Sequence, residues 1–325
     1  MNPGFVLGVD GGGSKTHLAL ASSDGRLRAM VAGPGSNLEW QKAGKITDFF
    51  SGLLHTACRQ AGAKPREIRS SCFGLCGADI AGDFRYVEER IVGHLRLGGP
   101  VKVHNDAFIA MFNDGWRDRG AVVTVGSGHK WLALNGKREF MHDGLVFQGL
   151  RDMVMEELLK TAEGFIRPDR FTNGMLRGFG FSSPKDFLRR WRYGGSREYV
   201  RKISAGQWKR IAKVQKRLGE EASRGNQHAL ALLDRYAASL AGGTDVAVRR
   251  VGATGRGLEV VMSGSVLAGI PALRRAFQRH LKAILPGAVP VQAVFRPVRG
   301  ALIHSAHMAW GGLPAGSLDE PSLSY

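Results

Sequence analysis

The opening of the chain alternates short apolar runs with turns of small residues. Phe5–Val9 is an uninterrupted apolar run of strand length, and the pattern predicts a buried strand there. Asp10 to Thr16 reads as a turn, and 17–21 as a second strand. Asp24-Gly25 is a hairpin signal, and 27–32 completes a third strand. Apolar residues then recur at helical spacing over 48–60, a strand follows at 68–75, and 84–95 reads as a helix. A short strand at 101–104 ends at Asn105-Asp106-Ala107, from which a helix is expected to about 114. At Gly120 the opening pattern returns. Strand 121–125, turn Gly126-Ser127-Gly128, strand 130–134, turn Asn135-Gly136 and a strand from Arg138 repeat the same order. A duplicated unit predicts two related lobes. Residues 152–240 are mostly helical in pattern. A strand at 259–262, Ser263-Gly264-Ser265, a helix at 271–284, a strand at 291–294 and a helix at 297–310 complete the chain.

Composition narrows this picture. The chain has 325 residues, enough for two domains that each bury a core. At 43% hydrophobic residues it is not a disordered chain, and its 45 glycines, about twice ordinary usage, have no collagen period. No apolar run approaches the ~18 residues of a membrane span. The start, Met1 to Gly4, lacks the features of a signal peptide. Three cysteines (Cys58, Cys72, Cys76) make no disulfide framework. A cytoplasmic protein without a membrane partner is expected. The formal charge of +18 raises a polyanion as a possible partner.

The turn Gly11 to Thr16 fits neither common phosphate loop. A dinucleotide fingerprint needs G-x-G-x-x-G opening a helix, and a Walker loop needs G-x-x-x-x-G-K-[ST] before a helix. Here the spacing differs and a strand follows. Two readings remain, a plain glycine hairpin or one that grips phosphate. In the second, Gly11, Gly12 and Gly13 let backbone N–H groups approach phosphate oxygens, Ser14 and Thr16 add hydroxyls, and Lys15 adds charge. Asp10 beside it is placed to orient Mg²⁺ through water. The second hairpin, at Gly126, Ser127 and Gly128, favours the phosphate reading, because two such turns can face each other across a cleft.

With these residues in view, the sequence resembles the N-acetylglucosamine kinase and BadF/BadG-type ATPase group of the actin-like, sugar kinase and Hsp70 superfamily. Gly8 to Thr16 looks like its first phosphate motif. The resemblance continues through Gly35-Ser36-Asn37, Gly74 to Ala78 and Asn105-Asp106-Ala107. Gly126-Ser127-Gly128 matches its second phosphate motif, Ser263 to Val266 its adenosine motif, and Pro297 to Ala301 the start of its closing helix. The resemblance implies an α/β fold of two ribonuclease H-like (actin-like ATPase) domains with a nucleotide cleft between them. One lobe would span 1–118, joined by a C-terminal helix at about 298–325. The other would span 119–297, with a basic helical insertion at about 151–240. It further implies ATP and Mg²⁺ as cofactors, a homodimer, and phosphorylation of a small carbohydrate such as an amino sugar. Asp106 would be the catalytic base, although Asn105 or Asp106 could equally serve as a helix cap. Asn37, Asn105, Asp106 and His129 would meet the substrate, Gly264 and Ser265 the adenosine, and Asp10 the metal. The alternative is a non-kinase ATP-binding regulator with a degenerate sugar site.

Three departures bear on specificity. The second phosphate motif usually reads Gly-Thr-Gly-Ser, whereas here it is Gly-Ser-Gly-His, so His129 stands where a small sugar-contacting residue is expected. The usual Gly-Asp-Glu-Gly-Ser-Gly stretch is replaced by Asp143 to Asp152, without the Asp-Glu pair. Residues 151–217 hold 17 Lys/Arg against 7 Asp/Glu, with Phe179, Phe181, Phe187, Trp191, Tyr193, Tyr199 and Trp208 interleaved. That stretch reads either as a solvated helical face with core aromatics, as a basic wall for ATP or an acidic substrate, or as a nucleic-acid surface. The first reading is preferred. Cys72 and Cys76 lack the glycine flanks of the cluster-binding cysteines in related activators, so they are expected to be small buried residues and no iron–sulfur cluster is assigned.

Overall fold

The computed structural model describes residues 4–38, 43–126, 128–143, 149–193, 214–314 and 316–324. The chain divides into two units, Met1–Val122 with Gln292–Tyr325, and Val123–Val291.

The first unit is built on a five-stranded sheet. Its strands are β1 (Phe5–Gly11), β2 (Lys15–Ser22), β3 (Leu27–Pro34), β4 (Ile68–Leu75) and β5 (Val101–His104), in the order β3-β2-β1-β4-β5. β1 pairs antiparallel with β2 and parallel with β4, and β4 runs parallel to β5. Helices α1 (Ala43–Ala61), α2 (Ala81–Arg90) and the short α3 (Asp106–Ala110) fill the connections, and α11 (Pro297–Trp310) returns from the far end of the chain. Alternation along β1 explains its layers. Leu7 and Val9 join a core with Phe50, Leu54, Phe73 and Val87. Val6, on the opposite face, packs with Val298, Leu302 and Ala306 of α11. β1 is thus covered on both sides, which is why it reads as an unbroken apolar run. Each Leu or Phe so buried contributes roughly 1.5–3 kcal/mol.

Glycines let α11 sit this close. A Cβ on Gly8 would lie 2.7 Å from the Leu302 amide, and one on Gly300 would lie 1.9 Å from the Ile109 carbonyl oxygen and 2.9 Å from Asn113 Oδ1. Gly300→Ala is therefore expected to cost about 3 kcal/mol by overpacking. The gain of ~1 kcal/mol in helix propensity does not offset it. A denaturant titration checks this, and a midpoint equal to that of wild type would refute it. Beside Gly300, the buried Arg299 clamps the same region. It donates to the carbonyls of Leu318 (3.0 Å), Ser317 (3.0 Å) and Asn113 and to Asp319 Oδ1 (2.8 Å), and its guanidinium lies 4.0 Å over the Phe295 ring.

The second unit repeats the scheme. β6 (Arg119–Val125), β7 (His129–Asn135), β8 (Arg138–His142), β9 (Leu258–Ser263) and β10 (Ala288–Gln292) lie in the order β10-β9-β6-β7-β8. Read from the meander edge, both sheets have the third, second, first, fourth and fifth strands in sequence. The helices are α4 (Leu150–Ala162), α5 (Arg170–Gly178), α6 (Pro184–Tyr193), α7 (214–223), α8 (Gln227–Val251), α9 (Ser265–Gly269) and α10 (Pro271–Ile284). α8 packs on β7 and β8, and α10 packs along α8. Trp131 anchors this layer: it is fully buried and donates from Nε1 to the Leu240 carbonyl (2.8 Å). Gly243 leaves room for its ring, since a Cβ there would lie 2.4 Å from Trp131 Cε2.

One expectation is corrected here, and the preferred reading of the basic stretch is met for three of its aromatics. The strand expected at 291–294 is β10, which ends at Gln292; it contains Pro290 and lies at the sheet edge, where a missing N–H is tolerated. Phe179, Phe181 and Phe187 of the basic stretch are buried, the last two edge to face at 4.9 Å, so they are core residues and not a base-stacking surface. Tyr199 and Trp208 lie outside the described residues. No helix among the described residues is long and apolar enough to cross a membrane.

Candidate functional site

In the first unit, parallel strands bring the predicted residues to one edge. The register sets Asp10 opposite Gly74, and Gly74 opposite His104. β1, β4 and β5 therefore end together, and their loops gather at the carboxyl ends where open α/β sheets bind ligands. Backbone bonds lace these loops. Gly12 N–H donates to the Lys15 carbonyl (3.0 Å) to close the hairpin, and Ser36 N–H donates to the Gly12 carbonyl (3.1 Å). Cys76 N–H donates to the Gly11 carbonyl (2.8 Å), and Leu38 N–H donates to that of Cys76 (3.2 Å).

Within the hairpin, Gly13, Ser14 and Lys15 are exposed and Gly12 is half-buried. Thr16 behaves differently from the expectation. It is fully buried, and its hydroxyl donates to Ser36 Oγ (2.9 Å), so it braces the hairpin against the next turn. Gly35 makes that turn possible, because a Cβ there would lie 2.2 Å from the Gly13 carbonyl oxygen and 2.9 Å from the Ser14 amide. Gly35→Ala must displace backbone of the hairpin. An overpacking cost of about 1–3 kcal/mol is expected in this loop, and if the hairpin holds a nucleotide, as the resemblance implies, ATP binding weakens by about tenfold. Titration calorimetry checks this, and unchanged affinity would show that the hairpin does not hold the nucleotide.

At the end of β5, Asn105 and Asp106 separate their roles. Asn105 is buried, and its Oδ1 accepts the Ala107 N–H (2.8 Å), capping α3. Its Nδ2 donates to Asp79 Oδ1 (2.6 Å) and the Ala78 carbonyl (3.3 Å). All of these bonds tie Asn105 to its own unit. Asp106 is the first residue of the helix and is half-buried. Asn37 is buried in the 35–38 turn. Asp10 is half-buried, with His17 Nδ1 at 3.8 Å from its carboxylate, and Arg296 Nη1 donates to His17 Nε2 (3.2 Å).

In the second unit, the turn after β6 is closed by Gly126 N–H donating to the Gly128 carbonyl (2.8 Å). Ser127 lies outside the described residues. Gln215 of α7, which no motif marks, donates from Nε2 to the Gly126 carbonyl (3.0 Å). Gly264 adopts φ 94°, and a Cβ there would lie 2.3 Å from the Val125 carbonyl oxygen. That close approach brings Gly264 and the exposed Ser265 beside the end of β6 and the 126–128 turn. Gly264 is the cap residue of α9, so Ser265 does not cap it. His129 opens β7, and its Nδ1 meets the Tyr236 hydroxyl at 3.0 Å. Burial holds the imidazole below the ordinary histidine range and His142 adds to this, while Asp143 and Asp152 act in the other direction. Residues 144–148 of the departing stretch lie outside the described residues.

Cys72 is buried and burial pushes its thiol up, as it does for Cys58; Cys76 is half-buried. Among the described residues no group of three His, Cys, Asp or Glu could hold a metal alone. A single carboxylate beside the hairpin suits instead an ion such as Mg²⁺, which keeps water and phosphate oxygens as most of its ligands.

Comparison with known proteins places these features. Residues 7–305 match the profile of the BadF/BadG/BcrA/BcrD ATPase family. An N-acetylmuramic acid/N-acetylglucosamine kinase of Clostridium acetobutylicum is 29% identical over 124 residues, 38% of this chain and 40% of that one. An N-acetyl-D-glucosamine kinase of Dictyostelium discoideum is 26% identical over 148 residues, 42% of this chain and 45% of that one. The chain thus matches less than half the length of either relative. In fold it is similar to a provisionally assigned N-acetylglucosamine kinase of Chromobacterium violaceum (TM-score 0.65, 21% identity, 93% of this chain and 99% of that one). It is also similar to a ROK family glucokinase of Streptomyces griseus, solved with glucose and AMPPNP (TM-score 0.56, 18% identity, 95% and 100%). The fold of two repeated sheets is accordingly shared with these two proteins. With nearly its whole length matched, the chain belongs to the BadF/BadG/BcrA/BcrD ATPase family.

Proposed function

We propose that the protein is an ATP-dependent phosphotransferase that acts on a small carbohydrate, an amino sugar of the N-acetylglucosamine or glucosamine type. The observation that carries this reading is the division of roles at the end of β5. Asn105 supplies the cap of α3, so the carboxylate of Asp106 is not needed for that structural task. Asp106 stands at the carboxyl edge of the sheet with the first hairpin and Asn37, and its place at the first residue of a helix suits an anion.

In the proposed reaction Asp106 accepts the proton of a sugar hydroxyl as its oxygen attacks the γ-phosphorus. The new O–P bond forms as the bond to the β–γ bridging oxygen breaks, and ADP leaves. Phosphate oxygens are held by the hairpin of Gly11, Gly12 and Gly13 through amides not used in its own closure, with Ser14 and Lys15, and likewise by the turn of Gly126, Ser127 and Gly128. Gly264 and Ser265 adjoin the adenosine. Mg²⁺ bound with the nucleotide would neutralise phosphate charge, and Asp10 is the residue that would orient its waters. Asn37 and His129 contact the sugar. The same reading takes the protein to be a cytoplasmic homodimer, a state that sedimentation checks.

The test is ADP release by the purified protein across a panel of hexoses and amino sugars. Sugar-dependent release supports the proposal. ATP binding with no transfer to any sugar would refute it and favour a nucleotide-driven regulator.

A further inference from the structure

His129 and Tyr236 form a pair whose hydrogens can be assigned. Tyr236 lies on α8, is 1% exposed, and has His129 Nδ1 as the one hydrogen-bond partner of its hydroxyl among the described residues. A buried phenol must place its hydrogen on an acceptor to avoid a desolvation penalty. If Nδ1 carried the proton, it would donate to the phenol oxygen and leave the O–H without an acceptor. The arrangement that satisfies both groups is Tyr236 O–H donating to Nδ1, with the ring's proton on Nε2.

The setting is rigid. The His129 ring packs edge to face on Trp131 at 4.7 Å, and Trp131 is stacked on its other neighbour, His142, at 4.7 Å. His142 Nε2 lies 3.1 Å from the Gly243 carbonyl, and Trp131 Nε1 bonds the Leu240 carbonyl. Nε2 of His129 makes no hydrogen bond to a described residue, and the ring edge lies near Gly149, whose Cβ would stand 3.8 Å from Cε1. Burial favours the neutral ring, against Asp143 and Asp152.

We propose that Tyr236 is a positioning residue that locks His129 as its Nε2–H tautomer, so that the pair selects a sugar bearing an acceptor oxygen, such as an N-acyl group, over one bearing a free ammonium. This rests on the kinase reading and on His129 facing the sugar. An amide carbonyl accepts from Nε2–H, whereas an ammonium is donor-only and would meet a donor. Asp143 and Asp152 lie close enough to attract an ammonium, so the opposite preference is a real outcome.

Two measurements decide it. The first is kinetic, comparing N-acetylglucosamine with glucosamine. Wild type is expected to favour the N-acyl sugar by at least about tenfold, and Tyr236→Phe to cut that ratio about fivefold, the worth of one hydrogen bond. The loss is expected in the KM for the sugar and not in the KM for ATP. His129→Gln, which keeps an N–H donor near the Nε2 position, retains the preference, whereas His129→Leu loses it. The second is ¹⁵N NMR of histidine-labelled protein, with thermal melts to confirm that each variant is folded. His129 is expected to show Nε2–H in wild type and a tautomer mixture in Tyr236→Phe. An Nδ1–H ring in wild type, a preference for the free amine, an unchanged ratio in Tyr236→Phe or a shift in the KM for ATP alone would each overturn the proposal. If wild type phosphorylates no sugar, the kinase reading falls and the substrate preference with it, while the spectrum still decides the tautomer.

Discussion

Asp106→Asn is expected to lower kcat by about a thousandfold while leaving the protein folded. The substitution keeps the size of the side chain and removes the group that accepts a proton. The favourable charge of an acid at a helix start, which the substitution removes, is worth about 0.3–1 kcal/mol of stability. The cap of α3 is unaffected, because Asn105 and not Asp106 accepts the Ala107 N–H. Asn105→Ala gives the contrasting outcome. It removes the cap and the bond to Asp79, so it should lower the melting temperature as well as activity, with a cost of about 1 kcal/mol for the cap. ATP affinity measured by titration separates the two effects, since Asp106→Asn is expected to bind ATP normally. Full activity in Asp106→Asn would remove the base from the proposed mechanism.

Acidification is expected to destabilise the first unit well before most carboxylates titrate. His104 and His304 are buried against Phe108, Phe112 and Trp116, with His104 stacked on Phe108 at 3.7 Å and 5.0 Å from His304. Burial first, then repulsion from His304 and Lys102, holds His104 down to about 2; burial, His307 and Lys102 hold His304 to about 4. In the unfolded chain both titrate near ~6.5. Between these values the unfolded state binds more protons, so stability rises with pH and is lost as pH falls below about 6.5. His304 alone accounts for about 3 kcal/mol by pH 4, because each tenfold difference in proton affinity between the folded and unfolded chain is worth ~1.4 kcal/mol. Melting temperatures from about pH 7 to 5 check this. The drop should shrink in His304→Phe, which keeps the aromatic contacts without the titrating nitrogen. A flat profile over this range in wild type would contradict the buried, neutral state of both rings.

The repeated order of strand, small-residue turn and strand was legible because it is local. A strand buried on both faces must be apolar throughout, and a tight turn needs small residues, so 5–9, 11–16, 121–125 and 126–128 announce themselves. The helices at 271–284 and 297–310 begin at prolines, which fit a first helical turn, and both are observed with those bounds. The loops of the candidate site were legible for the same reason, as motifs at strand ends.

What each motif residue does was decided by contacts distant in sequence. Asn105 and Asp106 are both good caps; in the fold Asn105 caps α3 through its Oδ1 while its Nδ2 meets Asp79, 26 residues earlier. The Thr16 hydroxyl reads as a donor in the turn, and the fold supplies its acceptor, Ser36 Oγ, 20 residues later. The interleaved Phe179, Phe181 and Phe187 look alike as a core or a stacking surface, and burial alone tells them apart. His129 is 107 residues from Tyr236, so no local pattern could reveal its tautomer. Periodicity and turn chemistry, which act over a few residues, determined the two-lobed framework; hydrogen-bond partners and burial, which exist only once helices and strands pack, decided which polar atoms remain to meet a ligand.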